Sequence, residues 1–111
     1  RKKITNQVLS NQIKIGLNKI KIKNKNKIII AYEPVWSIGT GGIPKKTALI
    51  QTISFIKSRF VKKYPKILYG GSVNTNNADK LKKIPNIDGF LIGGASQNPK
   101  KFIDIIQKTI N

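Results

Sequence analysis

The sequence predicts an α/β protein with a parallel sheet, because short apolar strand patterns alternate three times with longer helix patterns. The strand patterns lie at residues 28–32, 67–69 and 89–92, and a glycine-containing loop follows each of them. The first pattern, IIIAY, is apolar throughout and rich in β-branched residues. Such a run is typical of a strand that is buried on both faces of a parallel sheet.

The chain opens with a helix pattern within residues 1–26, which Thr5 or Asn6 is expected to cap. Its apolar residues recur every three to four positions and predict one buried stripe, made up of Ile4, Val8, Leu9, Ile13, Leu17 and Ile20. The lysine- and asparagine-rich run at 19–27 is interpreted as a solvated helix end followed by a turn, rather than as a polybasic binding patch.

Three further helix patterns follow the strands. Pro44 precedes a predicted helix at about 46–60, which Pro65 prevents from continuing. Its inward-facing side is predicted to carry Leu49, Ile50, Ile53, Ile56 and Phe60. A compact helix is expected at 75–83 and a last helix at about 99–110. The aromatic residues Phe55, Phe60 and Phe102 are interpreted as core packing.

Glu33 comes directly after the first strand and is the candidate catalytic residue. It is the only glutamate among the four acidic residues of the chain. A residue before proline favours an extended backbone, so Pro34 marks the end of the strand and leaves the Glu33 carboxylate at its tip. The bulky apolar loop that follows runs into Gly39, Gly41 and Gly42, which predicts a lid with a glycine hinge.

Three separated motifs resemble the triosephosphate isomerase family. They are AYEPVWSIGTG at 31–41, YGGSV at 69–73 and GFLIGGAS at 89–96, in the order in which the family carries them. Ser37 stands where the family usually has alanine, Gly42 occupies a variable hinge position, and Gln97 stands where the family usually has leucine. Each motif alone would be interpreted as an ordinary turn or loop, but the three together, in this order, argue against that interpretation.

The resemblance implies that the fold is the C-terminal portion of a TIM (β/α)8 barrel, from about its sixth to its eighth strand with flanking helices. A complete barrel takes about 250 residues, whereas this chain has 111, begins at Arg1 and lacks methionine. We therefore expect residues 1–111 to be a partial barrel domain truncated at its N-terminus. The family's catalytic histidine, asparagine and lysine come from the N-terminal half, so this segment alone is expected to be inactive or nearly so.

The resemblance also implies an activity, the interconversion of dihydroxyacetone phosphate and D-glyceraldehyde 3-phosphate in glycolysis and gluconeogenesis. Glu33 would be the base that moves a proton between adjacent carbons, and Tyr32, Val35, Ile38 and the closed lid are expected to bury it and so raise its pKa. The substrate phosphate would be bound at Gly39, Ser72, Gly93 and Gly94, since backbone N–H groups in glycine-rich loops cradle phosphate. Tyr69 and Ser72 would contact the lid, which consists of Pro34, Val35, Trp36, Ser37, Ile38, Gly39, Thr40 and Gly41.

Composition bounds the ligands and partners. The chain has no cysteine and no histidine, which leaves few ligands for a metal, so no metal site is expected. No cofactor is expected either. No apolar run approaches the roughly 20 residues of a membrane span, and a cytoplasmic location is expected. The resemblance implies a homodimer for the full-length protein, whose contacts lie mainly in the family's N-terminal half. It also implies a small phosphorylated triose as substrate.

Two alternative functions remain open. The first alternative is a basic nucleic-acid-binding module, because such modules typically carry a high positive charge and this chain has a net charge of +18. Against this, Arg1 and Arg59 are the only arginines among 22 basic residues, and the lysines accompany isoleucine and asparagine along the whole chain, as an AT-rich genome would produce. No specific nucleic acid is therefore expected. Another phosphate-binding barrel enzyme, such as an epimerase or an indole-forming synthase, is the second alternative, and the AYEPVW lid argues against it.

Overall fold

Three parallel strands form one sheet in the order β1-β2-β3 within the computed structural model, which describes residues 2–20, 27–34, 37, 39–40, 42–60 and 65–110. The strands are β1 (Ile29–Tyr32), β2 (Lys66–Tyr69) and β3 (Gly89–Phe90). The helices are α1 (Lys2–Gly16), α2 (Lys46–Ser58), α3 (Ala78–Leu81) and α4 (Pro99–Ile110), and a 3₁₀ helix at Gly94–Gln97 precedes α4. The predicted α/β class with a parallel sheet is confirmed.

The register of the strands separates the two faces of the sheet. Tyr32 pairs with Tyr69, and Tyr69 pairs with Phe90, so these three rings form one row across the sheet. Because side chains alternate between faces, the neighbouring row of Ala31, Leu68 and Gly89 lies on the opposite face. The aromatic row faces the core, whose fully buried members include Leu49, Ile53, Ile56, Ile67, Tyr69, Leu81 and Ile105.

Strand β1 is more exposed than its apolar sequence predicts. Ile29 is 62% exposed, and Ala31 is exposed as well, while Ile30 and Tyr32 pack against the core. Within the described residues β1 lies at the edge of the sheet and pairs with β2 alone. The expectation of a strand buried on both faces is therefore wrong for this sheet.

Helix α1 differs from its prediction at both ends. It begins at Lys2, so Thr5 and Asn6 lie inside the helix rather than at its cap. It ends at Gly16, a residue that weakens helices, and the chain turns at once, since the Ile20 N–H donates to the Leu17 carbonyl oxygen at 3.0 Å. Residues 21–26 of the predicted helix end lie outside the described residues.

The predicted stripe of α1 is only partly buried. Leu9, Ile13 and Leu17 pack against the core. In contrast, Ile4 is 64% exposed and Val8 is 47% exposed. The helical period is therefore confirmed, but the buried stripe of α1 is narrower and shorter than predicted.

Helices α2 and α4 follow the sequence pattern closely. Helix α4 has the predicted bounds and begins at Pro99, which suits a first helical position. Helix α2 ends at Ser58, and Phe60 is buried just beyond it. The predicted compact helix at 75–83 is mostly turn, with only the four-residue α3 at its centre. None of the described helices is long and apolar enough to span a membrane.

Asp88 joins the beginning of β2 to the segment before β3. Its N–H donates to the Ile67 carbonyl oxygen at 2.8 Å, and its carboxylate oxygen Oδ2 accepts from the Ile67 N–H at 2.8 Å. The two residues thus exchange two hydrogen bonds, one of them through a side chain. This pair fixes β2 and β3 to each other although β3 has only two residues.

Candidate functional site

The carboxyl ends of the three strands meet at one edge of the sheet, and the predicted site residues follow them. The Gly70 N–H donates to the Tyr32 carbonyl oxygen at 2.8 Å, and the Leu91 N–H donates to the Tyr69 carbonyl oxygen at 3.0 Å. These bonds continue the parallel ladder one step beyond the strands. They place Glu33, Gly70 and Leu91 near one another at this edge.

The side chain of Glu33 lies over the backbone of Gly70. A Cβ atom at residue 70 would stand 2.7 Å from Glu33 Cγ and 3.1 Å from Glu33 Oε1. Since atoms do not approach so closely without a shift, the position of the carboxylate depends on glycine at 70. The sequence identified Gly70 only as part of an exit loop, so this dependence was missed.

Glu33 is exposed, whereas Tyr32, Val35, Ile38 and the closed lid were expected to bury it. Val35 and Ile38 lie outside the described residues. Tyr32 lies on the opposite, core-facing side of β1, where its ring packs against the core and its hydroxyl bonds to the side chain of Thr52. Alternation along the strand therefore turns the two neighbouring side chains away from each other. The carboxylate is accessible from the open face of the sheet.

Ser37 connects the loop after β1 to the loop after β2. Its side chain is fully buried, and its Oγ donates to the carbonyl oxygen of Gly42. The same Oγ lies 3.0 Å from Tyr69 Oη and accepts a hydrogen bond from the Ser72 N–H at 3.1 Å. In addition, Ser72 Oγ donates to the Ser37 carbonyl oxygen. We call this set of Ser37, Gly42, Tyr69 and Ser72 the Ser37 junction.

The Ser37 junction was not foreseen, because the sequence marked Ser37 only as a departure from the family's usual alanine. Tyr69 and Ser72 are the two residues expected to contact the lid, and here both contact Ser37. A small polar side chain directly after a bulky apolar pair was the one signal in the sequence that could have indicated a buried hydroxyl.

Gly71 leaves the space in which the Ser37 junction forms. A Cβ atom at residue 71 would overlap Tyr69 Oη and would stand 2.6 Å from Ser37 Oγ. Any larger residue would therefore displace the hydroxyl of Tyr69 or of Ser37. The requirement for glycine at 71 is steric.

Part of the predicted lid is described. Pro34 is buried, and Gly39 has a φ of +72°, a left-handed conformation that favours glycine. Thr40 Oγ1 donates to the Ser37 carbonyl oxygen at 3.1 Å and accepts from the Gly42 N–H at 3.1 Å, which closes a tight turn. Four predicted lid residues lie outside the described residues, namely Val35, Trp36, Ile38 and Gly41.

The glycines predicted to bind phosphate lie at the same edge of the sheet. Gly93 and Gly94 follow β3 and are exposed, and among the described atoms none comes within 4 Å of where their Cβ atoms would be. The Gly93 carbonyl oxygen accepts from the Ser96 N–H at 3.0 Å and from Ser96 Oγ at 2.5 Å, so it faces into the 3₁₀ turn. Gly39 is exposed as well, whereas Ser72 is half-buried.

Asn77 supports the loop that carries Ser72. It is only 7% exposed, and its Nδ2 donates to the Ser72 carbonyl oxygen at 2.8 Å. Its Oδ1 accepts from the Asn74 N–H at 2.9 Å, and Asn74 Oδ1 accepts from the Asn77 N–H at 3.0 Å. Asn77 was not among the predicted site residues, although two asparagines three positions apart are typical of turns fixed by side-chain hydrogen bonds.

Tyr32 and Tyr69 pack edge to face on the core side of the sheet, with ring centroids 6.5 Å apart. Burial raises the pKa of the Tyr69 hydroxyl above its usual value, and the hydrogen bond with Ser37 opposes this effect. Burial likewise raises the pKa of Tyr32, opposed by its bond to Thr52. Tyr69 therefore takes part in the Ser37 junction as a neutral phenol at physiological pH.

The arrangement defines a class of protein. A single carboxylate and three glycine-containing loops follow successive strands of a parallel sheet at their carboxyl ends, which is where βα-barrel enzymes build their sites. Across the part of the chain that the structure describes, no group of three histidine, cysteine or acidic side chains could hold a metal ion. This edge therefore presents one carboxylate beside glycine-containing loops.

Comparison with known proteins then identifies the family. The family model described as triosephosphate isomerase matches residues 1–109. The chain is 43% identical over 113 residues to the triosephosphate isomerase of Borreliella burgdorferi, covering 96% of this chain and 45% of that protein. It is 41% identical over 102 residues to the enzyme of the same name from Synechocystis, covering 92% and 41%. The chain belongs to the triosephosphate isomerase family, and it spans less than half the length of these relatives.

The steric role of Gly71 can be tested with Gly71→Ala in the full-length protein. The added methyl group should displace Tyr69 or Ser37 and lower the free energy of unfolding by about 1–3 kcal/mol, the usual effect of overpacking. Urea unfolding measures this change. Gly94→Ala is the matched control, because no described atom lies within 4 Å of its Cβ position, and its stability should be unchanged or slightly raised. Equal stability of the two variants would show that the space at Gly71 is not needed.

The raised pKa of Tyr69 predicts a pH dependence of stability. Because folding favours the neutral phenol, this contribution is fully present below the unfolded pKa of about 10 and is lost as the pH rises through the higher folded pKa. Wild type should therefore lose stability relative to Tyr69→Phe above about pH 10 and not below it. Urea unfolding of both proteins from pH 7 to 11 measures the difference, in which the effects of the lysines cancel. Parallel profiles up to pH 11 would contradict the assignment.

Proposed function

We propose that these residues belong to a triose-phosphate isomerase, which interconverts dihydroxyacetone phosphate and D-glyceraldehyde 3-phosphate. The observation that carries the proposal is the placement of Glu33. Its carboxylate is exposed at the carboxyl edge of a parallel sheet, is positioned over Gly70, and has glycine-rich loops beside it. Membership of the triosephosphate isomerase family supports the same reaction.

Glu33 acts as the base in this proposal. One carboxylate oxygen takes a proton from the carbon next to the substrate carbonyl and returns it to the neighbouring carbon, so that an aldose and a ketose interconvert. A base must approach the proton to hydrogen-bonding distance to do this efficiently. Gly70 contributes by allowing the Glu33 side chain to lie close to the backbone, which fixes the direction of approach.

The phosphate of the substrate is held by backbone N–H groups in this proposal, at Gly39, Ser72, Gly93 and Gly94. These residues follow the three strands at one edge, and Gly39, Gly93 and Gly94 are exposed to an incoming ligand. A dianionic phosphate is well matched to several uncharged N–H donors, since each forms a charge-assisted hydrogen bond without a competing side-chain charge.

Isomerisation also requires groups that these residues lack. A proton must move between the two substrate oxygens, and the carbonyl must be polarised while its neighbouring carbon is deprotonated. The chain contains no histidine, and Glu33 is its only glutamate. We place the family's catalytic histidine, asparagine and lysine in the part of the relatives that the chain does not cover, which is more than half of their length.

The chain is proposed to form the C-terminal part of a barrel, about its last three strands, truncated at its N-terminus. Grooves with many apolar side chains, one along each edge of the sheet, support this placement. One groove of about 430 Å³ lies between α1 and β1; it is lined by apolar side chains such as Leu9, Ile13 and Leu17, and it also reaches Gln12 and Glu33. The other, of about 340 Å³, lies between β3 and α4 and is lined mainly by Phe90, Ile92, Phe102, Ile105 and Ile106. Further strands and helices of a barrel would cover both grooves.

The proposal extends to the setting of the enzyme. Its partner is a small phosphorylated triose, and the full-length protein is a homodimer whose contacts lie mainly outside these residues. It works in the cytoplasm without a cofactor, and it binds neither membranes nor a specific nucleic acid. The lysine-rich surface then serves solubility rather than recognition.

Glu33→Asp in the full-length protein tests the catalytic assignment. The side chain is shorter by one methylene group, which withdraws the base by about 1 Å or more, and turnover should fall by about 10²-fold or more. A coupled assay of triose-phosphate isomerisation measures the change, and urea unfolding shows that the fold is intact. The control is Asp79→Asn, at an acidic residue whose side chain is 56% exposed, which should keep wild-type turnover. Near-normal turnover in Glu33→Asp would refute the assignment.

Residues 1–111 expressed alone should show no measurable isomerase activity, whereas the full-length protein should be active. The expected reason is the lack of a group that polarises the carbonyl, together with two uncovered apolar grooves. The same coupled assay compares the two proteins at equal concentration. Activity of the short chain that disappears in Glu33→Gln would contradict the proposal that the missing half is needed.

A further inference from the structure

The hydroxyl group of Ser37 has all its hydrogen-bonding positions filled. A serine hydroxyl has one proton to donate and two lone pairs that accept. The proton goes to the carbonyl oxygen of Gly42, and one lone pair accepts from the Ser72 N–H at 3.1 Å. Tyr69 Oη, at 3.0 Å, must then be the donor to the second lone pair. Since the side chain is 0% exposed, no water competes for these positions.

One of these bonds involves a donor that the proposed function assigns to the substrate. The Ser72 N–H is one of the four backbone groups proposed to hold phosphate, and in the structure it is directed at Ser37 Oγ. One N–H proton cannot serve two acceptors at full strength. A phosphate oxygen and the Ser37 hydroxyl therefore compete for the same donor.

The remaining contacts of Ser37 favour the hydrogen bond between its hydroxyl oxygen and the Ser72 N–H. Ser72 Oγ also donates to the Ser37 carbonyl oxygen, and Thr40 Oγ1 donates to the same carbonyl oxygen at 3.1 Å. The backbone of Ser37 is thus held beside Ser72 independently of its hydroxyl. Gly71, which lacks a side chain, leaves the hydroxyl room to reach the amide.

We propose that the Ser37 hydroxyl is an internal competitor of the substrate phosphate at the Ser72 amide, so that phosphate binding must displace it from the Ser37 junction. This inference rests on the proposed function, because it takes the phosphate site at Ser72 from there. A phosphate oxygen is charged and is therefore a stronger acceptor than the Ser37 hydroxyl, so phosphate displaces the hydroxyl from the Ser72 N–H. The loss of the bond between Ser37 and Ser72 lowers the net affinity for phosphate. Ser37 lies four positions after Glu33 in the chain, and its release couples phosphate binding to the segment that follows the base.

The test measures the dissociation constant of inorganic phosphate for the full-length wild type and for Ser37→Ala by titration calorimetry at pH 7. Removing the competing acceptor should tighten phosphate binding by about three- to tenfold, the equivalent of one neutral hydrogen bond. A purely structural role of Ser37 predicts the opposite, since a loosened loop would bind phosphate more weakly. Unchanged or weaker binding by folded Ser37→Ala would overturn the inference.

Two further variants complete the experiment. Ser37→Cys keeps a side chain of similar shape with a poorer acceptor, and it should bind phosphate about twofold tighter; it decides the question should Ser37→Ala fail to fold. Ser58→Ala is the matched control, because Ser58 Oγ donates to the Phe55 carbonyl oxygen at 2.6 Å on an exposed helix end, and its phosphate binding should equal that of wild type.

The same measurements separate this inference from the proposed function. Wild type that neither binds phosphate nor converts triose phosphates would overturn the proposed function, and the inference with it. Wild type that does both, with no tightening in Ser37→Ala or Ser37→Cys, would leave the enzyme assignment standing and overturn the competition at Ser72 alone.

Discussion

The parallel pairing of β1 with β2 sets the relative positions of the residues at the candidate site. With Tyr32 opposite Tyr69, the next residues along the two strands are Glu33 and Gly70, and the ladder bond from Gly70 to Tyr32 holds them together. A shift of one residue would turn Glu33 towards the core and Tyr32 towards the open face. The same pairing brings Ser37 and Ser72, which follow the two strands at similar distances, within hydrogen-bonding reach.

Much of the fold could be predicted from the sequence, because its patterns are local. Helix α4 was predicted at about 99–110 and is observed at Pro99–Ile110. The outcome for β1 differed, since burial depends on neighbours that a strand's own sequence does not name. Ile29 is as apolar as Ile30, yet one is 62% exposed and the other packs against the core.

The candidate site likewise combines features that local sequence predicts with features that depend on distant contacts. Glu33 and the glycine loops could be found because proline, glycine and a unique glutamate stand out in a lysine-rich sequence. The Ser37 junction could not be found in this way, since it joins residues 32 and 35 positions apart. Likewise, the need for glycine at 70 arises from Glu33, and the need for glycine at 71 arises from Tyr69 together with Ser37. Long-range contacts of this kind become visible only once the register of the strands is known.

The exchange of two hydrogen bonds between Ile67 and Asp88 has a consequence for folding. Strand β3 has only two residues, so its backbone ladder alone is too short to choose between alternative alignments with β2. The Asp88 carboxylate adds a bond to this short ladder, because it accepts the Ile67 N–H at 2.8 Å, and a slip of β3 by one residue would break that bond. A side chain thus helps the backbone ladder to set the alignment of the third strand, and the position of the loop that carries Gly93 and Gly94 depends on that alignment.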